Sequence, residues 1–307
     1  MVGKKSAVNV SHVAILSSGE MGAAIGAVLA AGGLETLTCL SGRSELSRLR
    51  ASEAGFRLVE SYDQLVSEAD LLLSVVPPGR ALDVAKAVAE GMRRSGARPP
   101  YADCNAVSPQ TAQAIGAVLS DAGASFIDAA IVGPPPRTGG SGTRIYCSGP
   151  DTGALEALNA FGLDVRPLGP LIGQASGLKM VYAASSKGTT ALWTELLVAA
   201  RALGLDDALR REFAEGRGEI GKQIMSQIPS MPRRSRRWVA EMEEIAATFE
   251  AVGLTPLMLQ GAADMYRLVG ETPLAEQNER QAAPSLETVV ETLAEHATRR
   301  KKAQHKG

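Results

Sequence analysis

Six residues lie where an apolar run meets a run of small residues in "VAILSSGEMGAAIGAVLAAGG": Ser17, Ser18, Gly19, Glu20, Met21 and Gly22. Their types and spacing suit a turn that binds phosphate. A strand that turns tightly into a helix aims backbone N–H groups and the positive end of the helix dipole at an anion. In G-x-G-x-x-G turns the first glycine permits the tight turn. The second lets the backbone approach a pyrophosphate, and the third lets helix and strand pack closely. Gly19 and Gly22 hold the second and third positions. Ser17 holds the first, where a small residue serves if its backbone angles stay in the ordinary region. Ala23, Ala24, Gly26 and Ala27 keep the helix narrow toward the strand. The chemistry implied is binding of a dinucleotide.

Which dinucleotide is read further on. An acid that bonds the ribose hydroxyls of NAD is expected roughly 20 residues after the glycines. The sequence there is "CLSGRSELSR", with Ser41 and Gly42 where the acid could sit, followed by Arg43 and Ser44. A guanidinium makes paired bonds to phosphate oxygens, so Arg43 beside a hydroxyl predicts NADP (NADPH) as the cofactor. Metal chemistry has no support. The three cysteines, Cys39, Cys104 and Cys147, are scattered without a CxxC or a neighbouring histidine. They predict no metal site and buried thiols in a reducing compartment.

Elements must position these residues. The chain has 307 residues, enough for two ordinary domains, and 45% of them are hydrophobic. A net charge of −1 argues against a general binder of nucleic acid or membrane surfaces. The opening "MVGKKSAVNVSH" is too polar for a secretory segment, and no apolar run approaches ~18 residues, so a cytoplasmic protein is expected.

The first half alternates strand and helix. "HVAILS" leads to a helix from Glu20, "ETLTCL" to one from Ser44, and "DLLLSVV" to one after Pro77 and Pro78. "YADCN" precedes a helix with Ser108 as N-cap and Pro109 in its first turn, and "ASFIDAA" and "TRIYCSG" are further strands. This pattern predicts an α/β fold, a Rossmann doubly wound parallel sheet over residues 1–168. Residues 169–296 read as all-helical, beginning with one long helix that ends at Gly204. Residues 297–307 are basic, lack apolar periodicity, and predict a disordered tail.

Seven motifs in register, "SSGEMG", "GRS", "SVVPP", "YADCNAVSP", "FIDAAIVGPP", "GTRIYCSG" and "GQASGLKMVYAA", resemble the β-hydroxyacid dehydrogenase and 6-phosphogluconate dehydrogenase superfamily over nearly the whole chain. The segment "RRWVAEMEEIAATFE" resembles a subgroup with its own phosphogluconate-dehydrogenase-like helical domain. The resemblance implies cofactor contacts from the opening turn and from Val76 and Pro77. It implies Lys179 as general base in alcohol oxidation and general acid in carbonyl reduction. Lys179, Tyr182, Ala183 and Ser186 share a helix face by i, i+3, i+4, i+7 spacing, so Tyr182 supplies a positioning hydroxyl one turn from the amine. Asn105 aligns with residues lining the nicotinamide side of the cleft.

Departures from the family pattern bear on substrate. Val132, before Gly133, stands where many relatives have a serine that holds the substrate carboxylate. Tyr182 and Ala183 replace two asparagines, and Ser186 replaces the second acid of the sugar-phosphate enzymes. A 6-phosphogluconate decarboxylation and a simple 3-hydroxyisobutyrate-type substrate are therefore both disfavoured. The expectation is an NADP(H)-dependent oxidoreductase acting on a hydroxy acid or related alcohol. The alternatives are an imine reductase-like enzyme and a cofactor-binding protein without turnover, and the presence of Lys179 counts against both.

Two surface features remain. Arg233, Arg234, Arg236 and Arg237 crowd a helix start, where the dipole disfavours cations; a solvated face is the first reading, and a substrate carboxylate or phosphate, or an acidic patch on a partner subunit, is the alternative. Leu178, Val181, Leu192, Leu196 and Leu197 place apolar groups on more than one stripe of the long helix, which predicts a homodimer built through the helical half.

Overall fold

The computed structural model describes residues 10–42, 44–140, 142–277 and 281–304. The first part of the chain runs β1 (His12–Ile15), α1 (Glu20–Ala31), β2 (Glu35–Cys39), α2 (Glu45–Glu53), β3 (Arg57–Val59), α3 (Tyr62–Glu68), β4 (Leu71–Ser74), α4 (Ala81–Ser95), β5 (Tyr101–Asp103), α5 (Pro109–Asp121), β6 (Phe126–Val132), β7 (Arg144–Ser148), α6 (Gly153–Glu156) and β8 (Val165–Gly169). The eight strands form one sheet in the order β3-β2-β1-β4-β5-β6-β7-β8. Successive residues of a strand point to opposite faces. In β1, Val13 and Ile15 therefore enter one core with α1, while Ala14, and Leu16 just after the strand, enter a second core with α4 and α5. The order reverses between β1 and β4, and a ligand of a doubly wound sheet sits at the carboxyl ends of the strands flanking such a reversal.

The sheet departs from the expected all-parallel arrangement at one pair. β6 and β7 are antiparallel, while the other pairs are parallel. The described residues of their connection form no helix, and a parallel return needs a crossover of a dozen or more residues. β8 is an edge strand with Arg166, Pro167 and Leu168 exposed, a place where a proline removes no needed bond.

The second part opens on α7 (Gln174–Ala183). It continues through a π-helical turn (Ala184–Gly188), α8 (Thr189–Leu203), α9 (Asp206–Gly216), α10 (Gly218–Met225), α11 (Ser235–Ala251), α12 (Leu257–Gly270) and α13 (Leu286–Gln304). The chain divides into two compact units after Met180, inside α7, and not at the 168/169 boundary read from the sequence. The reason is local: the first turns of α7 are bonded to β6. The second unit has its own core, which includes Leu197, Met231, Met242, Ile245, Tyr266, Val269, Val289 and Leu293.

Two further expectations are corrected. The long helix is interrupted, because side chains compete for its carbonyls. Ser185 Oγ donates to Tyr182 O (2.7 Å), Thr189 Oγ1 to Ser185 O (2.6 Å) and Thr190 Oγ1 to Ser186 O (2.9 Å). The buried Tyr266 hydroxyl takes the Lys187 carbonyl (2.6 Å). The tail expected to be disordered over 297–307 is helical to Gln304. Packing of Val289, Val290 and Leu293 nucleates α13, and propagation into "TRRKKAQ" then needs no apolar face. Residues 305–307 lie outside the described residues.

Candidate active site

The opening turn joins β1 to α1, and its two glycines differ in what requires them. A Cβ on Gly22 would lie 2.0 Å from the Ser17 carbonyl oxygen, and one on Gly26 would lie 2.2 Å from the Phe56 ring. Both are therefore demanded by the protein's own packing. A Cβ on Gly19 would meet only Ser17 Oγ, at 3.8 Å, and Gly19 has ordinary angles of φ −63° and ψ 178°. No contact within the described residues explains a glycine there. Gly19 is also the N-cap of α1 and offers no side chain to the first turn. An unfilled cradle over a helix N-terminus fits the pyrophosphate of a dinucleotide. Ser17 completes the turn without left-handed angles, since among the described residues every positive φ belongs to glycine.

The flanking residues are held firmly. Ser18 is 1% exposed and its hydroxyl donates to Ser47 O (2.7 Å), so only its backbone is left for a ligand. Glu20 and Met21 form the first turn of α1. Ser44 caps α2, accepting from Ser47 N (3.3 Å), and Gly42 turns the chain with φ +70°. Arg43 lies outside the described residues. The first acid after β2 is Glu45, exposed in the first turn of α2.

At the end of β4, Val76 N donates to Asn105 Oδ1 (2.6 Å), with Pro77 exposed beside it. Asn105 is 3% exposed and its amide also donates to Ser74 Oγ (2.9 Å) and Asp103 Oδ1 (2.6 Å). Its polar atoms are used inside the first unit. Through these bonds Asn105 holds the Val76–Pro77 loop. Asp103 is fully buried, and burial pushes its carboxyl up to about 7 against the downward pull of the Asn105 hydrogen bonds.

The strongest polar cluster was not read from the sequence. Asp128, in β6 and 1% exposed, accepts at Oδ2 from the backbone of Gly173 (2.8 Å), Ala175 (3.1 Å) and Ser176 (3.1 Å). Oδ2 also accepts from Ser148 Oγ (3.0 Å), and Oδ1 from Ser176 Oγ. One carboxylate thus satisfies the orphan N–H groups that open α7 and complements the positive end of its dipole. Its signal in sequence is an acid inside the apolar run "FIDAAIV", because a buried charge needs partners.

Farther along α7, Lys179 Nζ donates to the Ile131 carbonyl of the same β6. Tyr182 follows one turn later and is 54% exposed. Ser186 falls in the π-helical turn with its hydroxyl on Ala183 O (3.2 Å), so the straight i+7 register with Lys179 is broken. Val132 ends β6 almost buried, and Gly133 is forced to φ +122° with a Cβ position 3.0 Å from Gly142 O.

Arg236 and Arg237 have protein partners in the second unit. Arg236 bonds Glu276 and Gly270 O, and Arg237 pairs with Glu241 (3.3 Å). Arg233 and Arg234 lie in the preceding turn Pro232–Arg234. Glu241 also pairs with the nearly buried Lys187, whose ammonium stands 5.8 Å from the Trp238 ring. These contacts pin the π-helical turn to α11.

Comparison with known proteins agrees with this layout. Residues 12–161 match the NAD binding domain of 6-phosphogluconate dehydrogenase, and residues 200–269 match a domain of unknown function (DUF1932). An uncharacterized 28.5 kDa protein of Methanothermus fervidus is 30% identical over 78% of this chain and 91% of its own length. A conserved protein of unknown function, described as structurally similar to 3-hydroxyacid dehydrogenases, is 29% identical with a TM-score of 0.63. That match covers 87% of this chain and 100% of the other. The fold is also that of Mycobacterium tuberculosis 3-hydroxyisobutyrate dehydrogenase, at 18% identity and TM-score 0.65 over 93% and 99% of the two chains. A Streptomyces aurantiacus imine reductase shares it at 19% identity and TM-score 0.53 over 92% and 99%.

Proposed function

The chain belongs to the β-hydroxyacid dehydrogenase and 6-phosphogluconate dehydrogenase superfamily, and from that premise we propose that it is an NADP(H)-dependent oxidoreductase interconverting a hydroxy acid and its carbonyl. The observation that carries the reading is the double anchoring of α7 on β6, at Asp128 and at Ile131, which fixes the position of Lys179. The nicotinamide, when bound, supplies hydride transfer. Lys179 holds or releases the accompanying proton at Nζ, and the polar Ile131 carbonyl orients that amine. Gly19 and the N-terminus of α1 receive the pyrophosphate, Val76 and Pro77 border the cofactor on the β4 side, and Asn105 keeps them in place. Arg43 and Ser44 select the 2′-phosphate. Tyr182, one turn after Lys179, orients the reacting oxygen, while Val132 and Gly133 border the substrate on the first unit.

A second copy of the chain covers the helical half. Val181, Leu192 and Leu196 are 40–57% exposed, and Leu257 and Met258 are 70% and 80% exposed. Of the stripe residues named from the sequence in this unit, only Leu197 is buried. So large an apolar surface suits a homodimer.

Imine reduction and cofactor binding without turnover are separated from this reading by one experiment. NADP and NAD are titrated into the purified protein, and hydroxy acids, aldehydes and cyclic imines are then screened for turnover. Tighter NADP binding, by roughly ten- to hundredfold, together with oxidation of a hydroxy acid supports the proposal. Equal affinities remove the NADP assignment, and turnover of imines alone overturns the reaction.

A further inference from the structure

We propose that Asp103 is a positioning residue for the cofactor, holding the Val76–Pro77 loop through Asn105, and that it takes up a proton when the cofactor binds. The inference rests on the dinucleotide reading of the opening turn and names a regulation of that site. Its basis is a buried polar row that crosses four strands. Ser74 of β4 pairs in register with Asp103 of β5, Asp103 with Asp128 of β6, and Asp128 with Ser148 of β7. Residues paired in this way present their side chains on one face, and all four are at most 1% exposed. Adjacent strands lie about 4.8 Å apart, so two carboxyl groups stand side by side inside the first unit.

The two carboxyls are served unequally. Both oxygens of Asp128 accept hydrogen bonds, from three backbone N–H groups and from the hydroxyls of Ser148 and Ser176. Asp103 Oδ1 accepts from Asn105 Nδ2 (2.6 Å), whereas its Oδ2 has no hydrogen-bond partner among the described residues. A buried charge needs partners, and like charges on neighbouring strands disfavour each other. Asp128 is therefore the member of the pair suited to carry the charge. Burial first, and then the charge of Asp128, keep the proton on Asp103 to about 7 against the pull of the Asn105 bonds. The other titratable groups around the row are Tyr101 and Cys104 of β5, both held neutral chiefly by burial, with Tyr62 acting on the first and Lys179 on the second.

Asn105 connects the row to the cofactor loop. The amide that bonds Asp103 also donates to Ser74 Oγ (2.9 Å), and its Oδ1 accepts from Val76 N (2.6 Å). A change of charge at Asp103 thus reaches the loop after β4 through one side chain. A dinucleotide brings the negative charges of its pyrophosphate to the turn after β1, and β5 lies two strands from β1, about 10 Å away. Those charges disfavour ionised Asp103, so the bound state keeps the proton to higher pH. The proton comes from solvent and adds to a carboxylate oxygen of Asp103, and no other bond changes.

Calorimetry tests this with NADP or NAD, whichever binds more tightly, on wild type and Asp103→Asn, with the melting temperature of each recorded. The asparagine keeps an oxygen for the Asn105 amide and stays neutral at every pH. Both proteins should bind alike at pH 6, and wild type should bind about three- to tenfold more weakly than the variant at pH 8. Titrations at pH 7.5 in two buffers of different ionisation enthalpy should count about half a proton taken up by wild type and close to none by the variant. A 2′-phosphate, with a second pKa of about 6, is already ionised there and adds little to the count. Should Asp103→Asn fail to fold, the wild-type count decides the matter. An Asp103 that serves stability alone would change melting temperatures and leave the pH dependence of affinity equal in the two proteins. That equality, or a wild-type count of zero or of proton release, overturns the proposal while the cofactor reading stands. A folded wild type that binds neither dinucleotide contradicts the cofactor reading, and the proposal with it.

Discussion

The Asp128 carboxylate holds Ser176 twice, accepting from its backbone N–H at 3.1 Å and from its hydroxyl. Ser176 lies in the first turn of α7, and Lys179 follows three residues later with its ammonium on the Ile131 carbonyl. A strand and the helix laid on it are thus tied at both ends of one short segment. The position of the amine is set by the core of the first unit and not by surface contacts.

Asp128 should consequently act as a positioning residue. Asp128→Ala leaves two backbone N–H groups (Gly173 and Ser176) and two hydroxyls without their acceptor, while the Ala175 N–H keeps Ser148 Oγ (3.0 Å), and each buried unsatisfied donor costs ~1–3 kcal/mol. A loss of at least about 2 kcal/mol is expected in denaturant unfolding, with a smaller loss in Asp128→Asn. In the Asn variant kcat should fall while NADP affinity stays close to wild type. Unchanged stability in Asp128→Ala would remove the cap from the account.

The two turn glycines should separate folding from cofactor binding. Gly22→Ala drives a methyl to 2.0 Å from a backbone oxygen, so it should lower the melting temperature and abolish binding together. Gly19→Ala meets only Ser17 Oγ at 3.8 Å and should melt like wild type. Its affinity for NADP should nevertheless fall at least about tenfold, because the methyl occupies the ligand's space. Equilibrium dialysis beside a thermal melt reads both. Full affinity in Gly19→Ala would mean that the pyrophosphate lies elsewhere.

Asp103 gives a pH dependence whose sign is fixed by its raised pKa. The unfolded carboxyl ionises near 3.8, while the folded one keeps its proton to about 7. The folded state therefore binds more protons across that interval, and its stability falls as pH rises from about 4 to about 7, then levels. Asp103→Asn, with no proton to lose, should flatten this slope when melting temperatures are measured between pH 5 and 8. An unaltered slope in the variant would assign the dependence to other groups.

Much of this arrangement is legible in the sequence, for identifiable reasons. Apolar strands alternating with capped helices specify the sheet, and Ser108 with Pro109 marks the start of α5 in both readings. The opening turn is legible because its glycines stand at fixed offsets from a strand. What is not legible depends on direction in space. Asn105 is well placed in sequence to face a ligand, but its amide turns inward to Val76, Ser74 and Asp103. β3 and β8 are short strands with exposed residues, so neither carries a sustained apolar pattern. The π-helical turn arises from serine and threonine hydroxyls and the distant Tyr266, which no local periodicity reports.

Lys179→Ala tests the central claim most directly. The side chain is bonded to the Ile131 carbonyl and takes no part in the turn from Ser17 to Gly22, so folding and NADP affinity should be nearly unchanged. With the acid-base group removed, kcat on whichever hydroxy acid the screen returns should fall by about 10²–10⁴. Tyr182→Phe should lose only ~1–2 kcal/mol of transition-state stabilisation, the worth of one hydroxyl bond. The measurement is steady-state turnover of both variants beside cofactor titration of each. A large fall in kcat for Lys179→Ala with NADP binding retained is the predicted result. Near-normal turnover in Lys179→Ala would contradict the account.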